Sequence, residues 1–395
     1  MRAGAKRKGA QDLFARSVLL FFVAVCAWQA LPDASPVAGQ AASQVASQKE
    51  SAFSKWSPNH DIPNAHYVGS AACAQCHKNR VSVQKTSAMG RALEATADCE
   101  ILRSHPKLTF RNGIYSYQIL REGDRTVYTV SDGTDSISEP ILWAFGQGVA
   151  GQTYVFKHNG EYVESRVSFF NDVQALDITI GHDPAPQRSL EDAAGRVMKQ
   201  DEARDCFACH TTAAITGNRL QPDHLIPGVS CEQCHGPGDR HVAAMKSGNF
   251  DSKNIFNPKT LGTEDLSNFC GSCHRSWEKV AMMGLRGVNN VRFQPYRLAN
   301  SKCYDADDRR ISCLACHNPH ENVVRDPVSY DSKCTACHSA QPKSAAAPER
   351  PAAICRVGKE RCTTCHMPKY DLPGGHFKFT DHHIRVVKSG EQYPN

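Results

Sequence analysis

The chain has 395 residues, with 46 Lys/Arg against 40 Asp/Glu for a formal net charge of +6, and 18 cysteines beside 18 histidines. Five of the basic residues lie within the first 41, opposed only by Asp12 and Asp33, so the remainder is near +3. So small an excess does not imply a nucleic-acid partner.

Residues 1–41 have the layout of a secretory signal peptide: a basic stretch (Arg2, Lys6, Arg7, Lys8, Arg16), an apolar run from Val18 to Leu31, and small residues around Ala38 to Ala42. The run is short for a membrane span; an uncleaved N-terminal anchor is the competing reading. Cys26 falls inside this leader, and bulky Val25 before it argues against a lipidated cysteine. Residues 42–66 are rich in Ala, Ser and Gln without apolar periodicity and read as a flexible linker.

Segment 67–99 holds a Cys-x-x-Cys-His motif, Cys73/Cys76/His77, followed by moderate helical character over 78–97. The same spelling recurs at Cys206/Cys209/His210, Cys231/Cys234/His235, Cys270/Cys273/His274, Cys313/Cys316/His317, Cys334/Cys337/His338 and Cys362/Cys365/His366. Each reads as a c-type haem attachment site. The two thiols add across the haem vinyl groups, and the following His is the proximal iron ligand. Structural zinc also uses Cys-x-x-Cys pairs, but it gives no reason for a His after every second Cys. Seven covalently bound haem c groups are expected, and attachment outside the cytoplasm agrees with export to the periplasm or cell envelope. With two propionates per haem, the loaded protein would be net acidic. Its Lys and Arg would pair with propionates, sit in water or guide a redox partner.

Residues 100–188 have a different texture. Leu108 to Phe110 and Ile114 to Leu120 flank Asn112-Gly113, a hairpin signal. Thr126 to Val130 follows the turn Arg121-Glu122-Gly123-Asp124, and Tyr154 to Phe156 and Tyr162 to Phe170 flank Asn159-Gly160. An antiparallel meander of five or six strands is expected, most simply a packing platform for the haem domain, with partner docking as the alternative.

Residues 189–385 read as a six-haem domain, with helices over 190–204 and 264–283, and residues 386–395 as a tail. So little chain per haem leaves no room for an aliphatic core, and the porphyrins themselves are expected to form it. The expected fold is therefore mainly α with little regular structure around stacked c-type haems, plus a β-rich antiparallel insert.

Each iron also needs a second ligand. His241 follows the tight Gly236-Pro237-Gly238 loop, and His320 follows Cys316-His317-Asn318-Pro319; both are placed to reach a neighbouring haem. His376, His382 and His383 crowd the end of the chain, where at least one is expected to return to an iron. His182 and His224 sit beside turn-forming residues and are also candidates, whereas His60, His66, His105 and His158 read as solvent-facing or structural. Met89, twelve residues after His77, is a candidate thioether ligand that would raise the potential of the first haem.

Several stretches resemble the multihaem cytochrome c family that includes cytochrome c-554 and, more distantly, hydroxylamine oxidoreductase and pentahaem nitrite reductase. They are Tyr67-Val68-Gly69-Ser70, Gly228-Val229-Ser230-Cys231-Glu232 with His235-Gly236-Pro237-Gly238, Cys316 to His320, Cys365-His366-Met367-Pro368-Lys369, and Thr380-Asp381-His382. The resemblance implies stacked, mostly bis-His haems, supports His241, His320 and His382 as distal ligands and raises His376. It also implies a Cys303–Cys355 disulfide, leaving Cys99 unpaired. The chain departs from the four-haem carriers in its haem count and its long insert.

Two functions follow. The first is an electron carrier between redox partners, one of them possibly membrane-associated; every motif ends in His, none in the Lys that marks many nitrite reductases. The second is an oxidoreductase acting on a small nitrogen or sulfur compound at a five-coordinate haem, with Tyr296, Arg297 and Tyr304 as distal donors. A third arrangement, a homo-oligomer or filament sharing haem contacts across subunits, would use a surplus His on a neighbour's iron.

Overall fold

A computed structural model of the chain describes residues 64–251, 253–338, 354–388 and 390–394. The leader, Cys26, His60 and nearly all of the linker lie outside the described residues.

The chain enters on helix α1 (Gly69–Lys85), turns, and lays down a short strand β1 (Leu93–Ala95). The helical reading of 78–97 is thus corrected: the helix stops at Lys85, and residues 93–95 pair antiparallel with a later strand. After α2 (Glu100–Ser104) comes a meander of β2 (Lys107–Asn112), β3 (Tyr115–Glu122), β4 (Arg125–Ser131), β5 (Ser136–Phe145), β6 (Gly151–His158), β7 (Glu161–Phe170) and β8 (Ala175–Ile178). Each strand pairs with the next, β1 adds to β5, and a later strand β9 (Gly195–Val197) adds to β7. The first and last strands, β2 and β8, approach each other, so the sheet is nearly closed.

Period-two alternation decides which side chains go inside. Tyr115, Tyr117 and Ile119 of β3 and Thr126, Tyr128 and Val130 of β4 are buried, with Ser116 and Gln118 outside. Tyr128, Tyr154 and Phe156 have no exposure, and Tyr128 stacks on Phe156 at 5.1 Å. The Asn159-Gly160 turn has positive φ at both residues (51° and 85°), as a two-residue hairpin between right-twisted strands requires. The sheet exceeds the expected five or six strands because β5, β1, β8 and β9 lack clear turn-flanked alternation. It also reaches beyond 100–188 at both ends.

The second half is helical but broken. The stretch 190–204 divides into α3 (Leu190–Ala194), β9 and α4 (Gln200–His210). Gly195 causes the break: it lies flat against β7 opposite Ser165, where a Cβ would strike the Glu164 carbonyl. Then follow α5 (Cys231–His235), α6 (Asp239–Lys246), α7 (Thr263–His274) and α8 (Trp277–Met283). The expected helix over 264–283 is interrupted because Arg275 adopts φ 66° and Ser276 caps the next helix through Lys279 N–H. Short helices α9 (Gln294–Ala299), α10 (Cys313–Cys316), α11 (Asp331–His338) and α12 (Cys362–His366) lead to a hairpin of β10 (Lys369–Asp371) and β11 (Lys378–Thr380). Among the described residues no helix is long and apolar enough to cross a membrane.

Candidate haem-binding site

All seven motifs fall on short helical turns, in α1, α4, α5, α7, α10, α11 and α12. One turn sets the two cysteines, three residues apart, on the same face. The motif histidines are then oriented by their second nitrogen. A carbonyl oxygen can only accept, so a ring nitrogen facing one must carry the proton. His210 Nδ1 donates to Ala92 O (2.9 Å), His235 Nδ1 to Phe256 O (2.8 Å) and His366 Nδ1 to Arg385 O (2.8 Å). That leaves Nε2 as a bare lone pair, the arrangement of a metal-ligating imidazole.

Three other histidines show the same pattern. His241 Nδ1 donates to Lys253 O (2.6 Å) and His382 Nδ1 to Thr380 O (3.1 Å), while His320 Nδ1 lies 3.2 Å from Asn318 Oδ1. Each faces a motif histidine. His77 and His241 have ring centroids 6.4 Å apart and planes 17° apart; His235 and His320, 6.2 Å and 12°; His317 and His382, 6.2 Å and 46°. Two metal–nitrogen bonds of about 2 Å each, plus roughly 1.1 Å from each nitrogen to its ring centre, give a separation of roughly 6.3 Å. The facing imidazoles therefore fit an iron between them. Burial lowers the His210 pKa, and burial with His317 nearby pulls His382 down to about 4. Both are held as the neutral imidazole that binds metal.

The remaining candidates are placed differently. His376 spends Nε2 on Asp177 (2.7 Å) and packs edge-on against Phe170. His182 spends Nε2 on Glu164 (3.0 Å). In this geometry neither faces a motif histidine, which corrects the expectation for both; each is tied to the sheet by a carboxylate. His224 is exposed at the end of a single 3-10 turn, Pro222–His224. Met89 lies in the turn after α1, where its carbonyl accepts from Ala92 and Val229. It is the ring of His241 that meets His77. Of the proposed distal donors, Arg297 is committed to Asp381 (2.8 and 3.0 Å), and Tyr304 reaches Ser267. Cys303 and Cys355 are both free thiols. Cys355 is exposed, and the thiols acting electrostatically on Cys303 include Cys337, so the disulfide implied by the resemblance is not formed. Cys99 is buried and donates to Gln152 Oε1 (3.0 Å).

Thiols of different motifs touch. Cys73 bonds Cys231, Cys209 bonds Cys273, Cys270 bonds Cys313, and Cys334 bonds Cys362. Cys234 also acts on Cys270, and Cys316 on Cys334. The attachment points thus succeed one another in the order one, three, four, five, six, seven, with the second joined to the fourth.

Cys76 departs from the expectation that the attachment residues line an enclosed core. It is exposed on α1, whereas Cys73, one turn earlier, is half-buried against Cys231. Cys316 and Cys365, the second thiols of the fifth and seventh motifs, are exposed as well. The core picture is corrected at these three positions: α1, α10 and α12 each present one flank of their motif to solvent. The reason for Cys76 is that α1 carries few apolar residues, and Gln84 is its buried one. The spacing of Cys76 from Cys73 on one helical face still suits a two-thiol attachment.

Two acidic residues that no motif spelling marks as functional hold neighbouring motifs together. Glu232, between the cysteines of the third motif, accepts from Val68 and Gly238 N–H at Oε1 and from Gly69 N–H at Oε2, each at 2.8 Å. It thereby caps α1 from outside. Asp331 accepts from Arg361 N–H (2.6 Å) and Cys362 N–H (2.8 Å), capping the seventh motif from α11. The sheet contributes at the second motif: Phe145 packs against Phe207 (5.1 Å) and His210 (5.3 Å), and Ala92 O accepts from both His210 and Gly146 N–H.

Repeated thiol pairs on helical turns, each followed by an oriented imidazole, define a multihaem c-type cytochrome: a protein with covalently bound haem c that transfers electrons. Sequence comparisons agree. Residues 180–236 match the family model described as cytochrome c554 and c-prime. The multiheme cytochrome MtrA of Shewanella baltica (strain OS185) is 28% identical over 178 residues, covering 42% of this chain and 46% of that protein. The chain therefore aligns with about half the length of that relative. The crystal structure of the outer cell wall cytochrome OcwA superposes with a TM-score of 0.47 at 16% identity, covering 81% of this chain and 80% of that one.

Proposed function

We propose that the protein is an exported, extracytoplasmic heptahaem electron carrier, with closely spaced and mostly bis-His haems passing electrons between redox partner proteins. The observation that carries this reading is the set of three facing imidazole pairs at 6.2–6.4 Å. Haem, when bound, supplies the Fe(III)/Fe(II) couple. The chain's part is to hold fourteen thiols and seven proximal imidazoles in register, to cap irons with His241, His320 and His382, and to keep those rings neutral. On this reading His241, not Met89, takes the sixth position on the first haem. Thiol contacts between successive motifs support a continuous relay, because electron hopping needs near-contact between neighbouring centres. The sheet serves as a packing platform, supported by Phe145 and the shared Ala92 carbonyl at the second motif.

Intact-mass analysis and low-temperature EPR of the oxidised protein test the proposal. Seven haems per chain, all low-spin and indifferent to nitrite, hydroxylamine or cyanide, support the carrier. A mass increment of fewer haems removes the heptahaem count. A high-spin signal that shifts with one of those ligands replaces the carrier with the oxidoreductase reading.

A further inference from the structure

We propose that Glu232 and Asp331 are electrostatic staples. Each holds a touching pair of haem sites, one with three and six with seven, at fixed spacing and lowers the reduction potential of that pair. The inference rests on the haem-carrier reading and goes beyond it by assigning the origin of unequal potentials along the relay.

The two carboxylates occupy equivalent positions. Glu232 is 2% exposed and Asp331 8%. Each sits in one motif helix, or at its start, and binds the N-terminal N–H groups of another. Glu232 reaches from the third motif to the start of the helix bearing the first. Asp331 reaches from the start of the sixth motif's helix to the seventh. These pairs are also ones whose thiols touch, Cys73 with Cys231 and Cys334 with Cys362. Each carboxylate acts on both sulfurs of its pair: Glu232 on Cys73 and Cys231, Asp331 on Cys334 and Cys362.

Both accept only from backbone N–H groups among the described residues, and no cation sits against either carboxylate there. A buried anion close to an iron favours the ferric state, which carries one more positive charge, over the ferrous. Low water content around the group strengthens the effect. Glu232 has a third bond, to Gly238 N–H, that fixes the loop leading to His241. The same side chain therefore positions the imidazole facing His77 and biases the centre it serves. A carboxylate that only capped a helix would need neither burial nor a bond to a third segment.

The test is a potentiometric titration, followed optically and by EPR, of the haem-loaded full chain carrying Glu232→Gln, Glu232→Asp or Asp331→Asn. Intact mass establishes the haem count of each variant first. With the full count retained, Glu232→Gln should move two of the seven midpoint potentials upward and leave the rest in place. Glu232→Asp, which keeps the charge, should return those two toward the parent values. Asp331→Asn should raise a different pair. Fully loaded Glu232→Gln and Asp331→Asn proteins with unmoved potentials would reduce both residues to helix caps and overturn the proposal. A rise in Glu232→Asp as large as in Glu232→Gln would also overturn it, because charge would not be the cause. If Glu232→Gln loses haem, Asp331→Asn alone decides by the same readout. A parent protein lacking haem would sink the carrier reading itself, an outcome distinct from unshifted potentials in a loaded one.

Discussion

Arg297 and Asp381, 84 residues apart, form a doubly hydrogen-bonded ion pair with Nε–Oδ1 at 2.8 Å and Nη2–Oδ2 at 3.0 Å, almost wholly out of water. Asp381 also accepts from Arg385 Nη1 (2.7 Å) and from His383 N–H (3.0 Å), and Tyr393 covers the guanidinium at 4.6 Å. The pair fastens α9 to the C-terminal segment, and the next residue after Asp381 is His382. Removing one partner strands the other as a buried, unpaired charge. Arg297→Ala should therefore cost about 3–5 kcal/mol in chemical denaturation. It should also loosen His382 from His317, read as a new high-spin fraction in the EPR of the loaded protein.

The orientation of ring nitrogens sorts the distal candidates. His241→Ala, His320→Ala and His382→Ala should each convert one haem from low-spin to high-spin. His182→Ala and His376→Ala should leave the spectrum unchanged, since their Nε2 atoms are engaged by Glu164 and Asp177. Met89→Leu should leave every midpoint potential in place. A loss of one high-potential component in that variant would restore the thioether ligand and remove His241.

Glu164 joins β7 to β9 by accepting from Arg196 (2.7 Å), opposite it in register, and from His182 (3.0 Å). Burial opposes its ionisation, but the hydrogen bonds from His182 and Arg196 outweigh burial and hold its pKa below the ordinary value. A depressed carboxylate stabilises the fold fully above the unfolded-state value of about 4.3 and loses that contribution as pH falls through the lower folded value. Glu164→Gln should cost about 1–2 kcal/mol at neutral pH, between the surface and buried limits. The difference from the parent protein should vanish in acid, as denaturation midpoints measured from pH 7 down to pH ~3 would reveal.

Tyr154 lies inside the nearly closed sheet with no exposure, and its hydroxyl has no hydrogen-bond partner. An unpaired buried hydroxyl is a net cost. Tyr154→Phe should raise the unfolding free energy by about 1 kcal/mol. An unchanged or lowered value would mean that the hydroxyl finds a partner in solution.

Some of this protein was legible in the chain alone because the chemistry is written in adjacent residues. The Cys-x-x-Cys-His spelling contains both thiols and the imidazole of an attachment site, so seven sites need no tertiary information. Which thiols face inward does need it: Cys73 meets Cys231 while Cys76, in the same motif, looks to solvent. The hairpins around Asn112-Gly113 and Asn159-Gly160 were legible because turn chemistry and alternation act within a few residues. Helix lengths were not. The breaks at Gly195 and Arg275 come from strand β7 passing alongside and from a local cap, neither of which shows in a hydrophobic period. The facing histidines divide the same way. His241 and His320 could be named from short rigid loops, but that His241 meets His77 while His376 turns to Asp177 depends on chain crossings of 164 and 199 residues. Glu232 and Asp331 lay beyond sequence reasoning altogether. A carboxylate inside a motif looks like a solvated side chain until the fold brings another helix's unpaired N–H groups against it. Local covalent chemistry thus decided what this protein holds; which imidazole, carboxylate and sulfur act together was decided by long-range packing, because those forces act only between segments the fold has already joined.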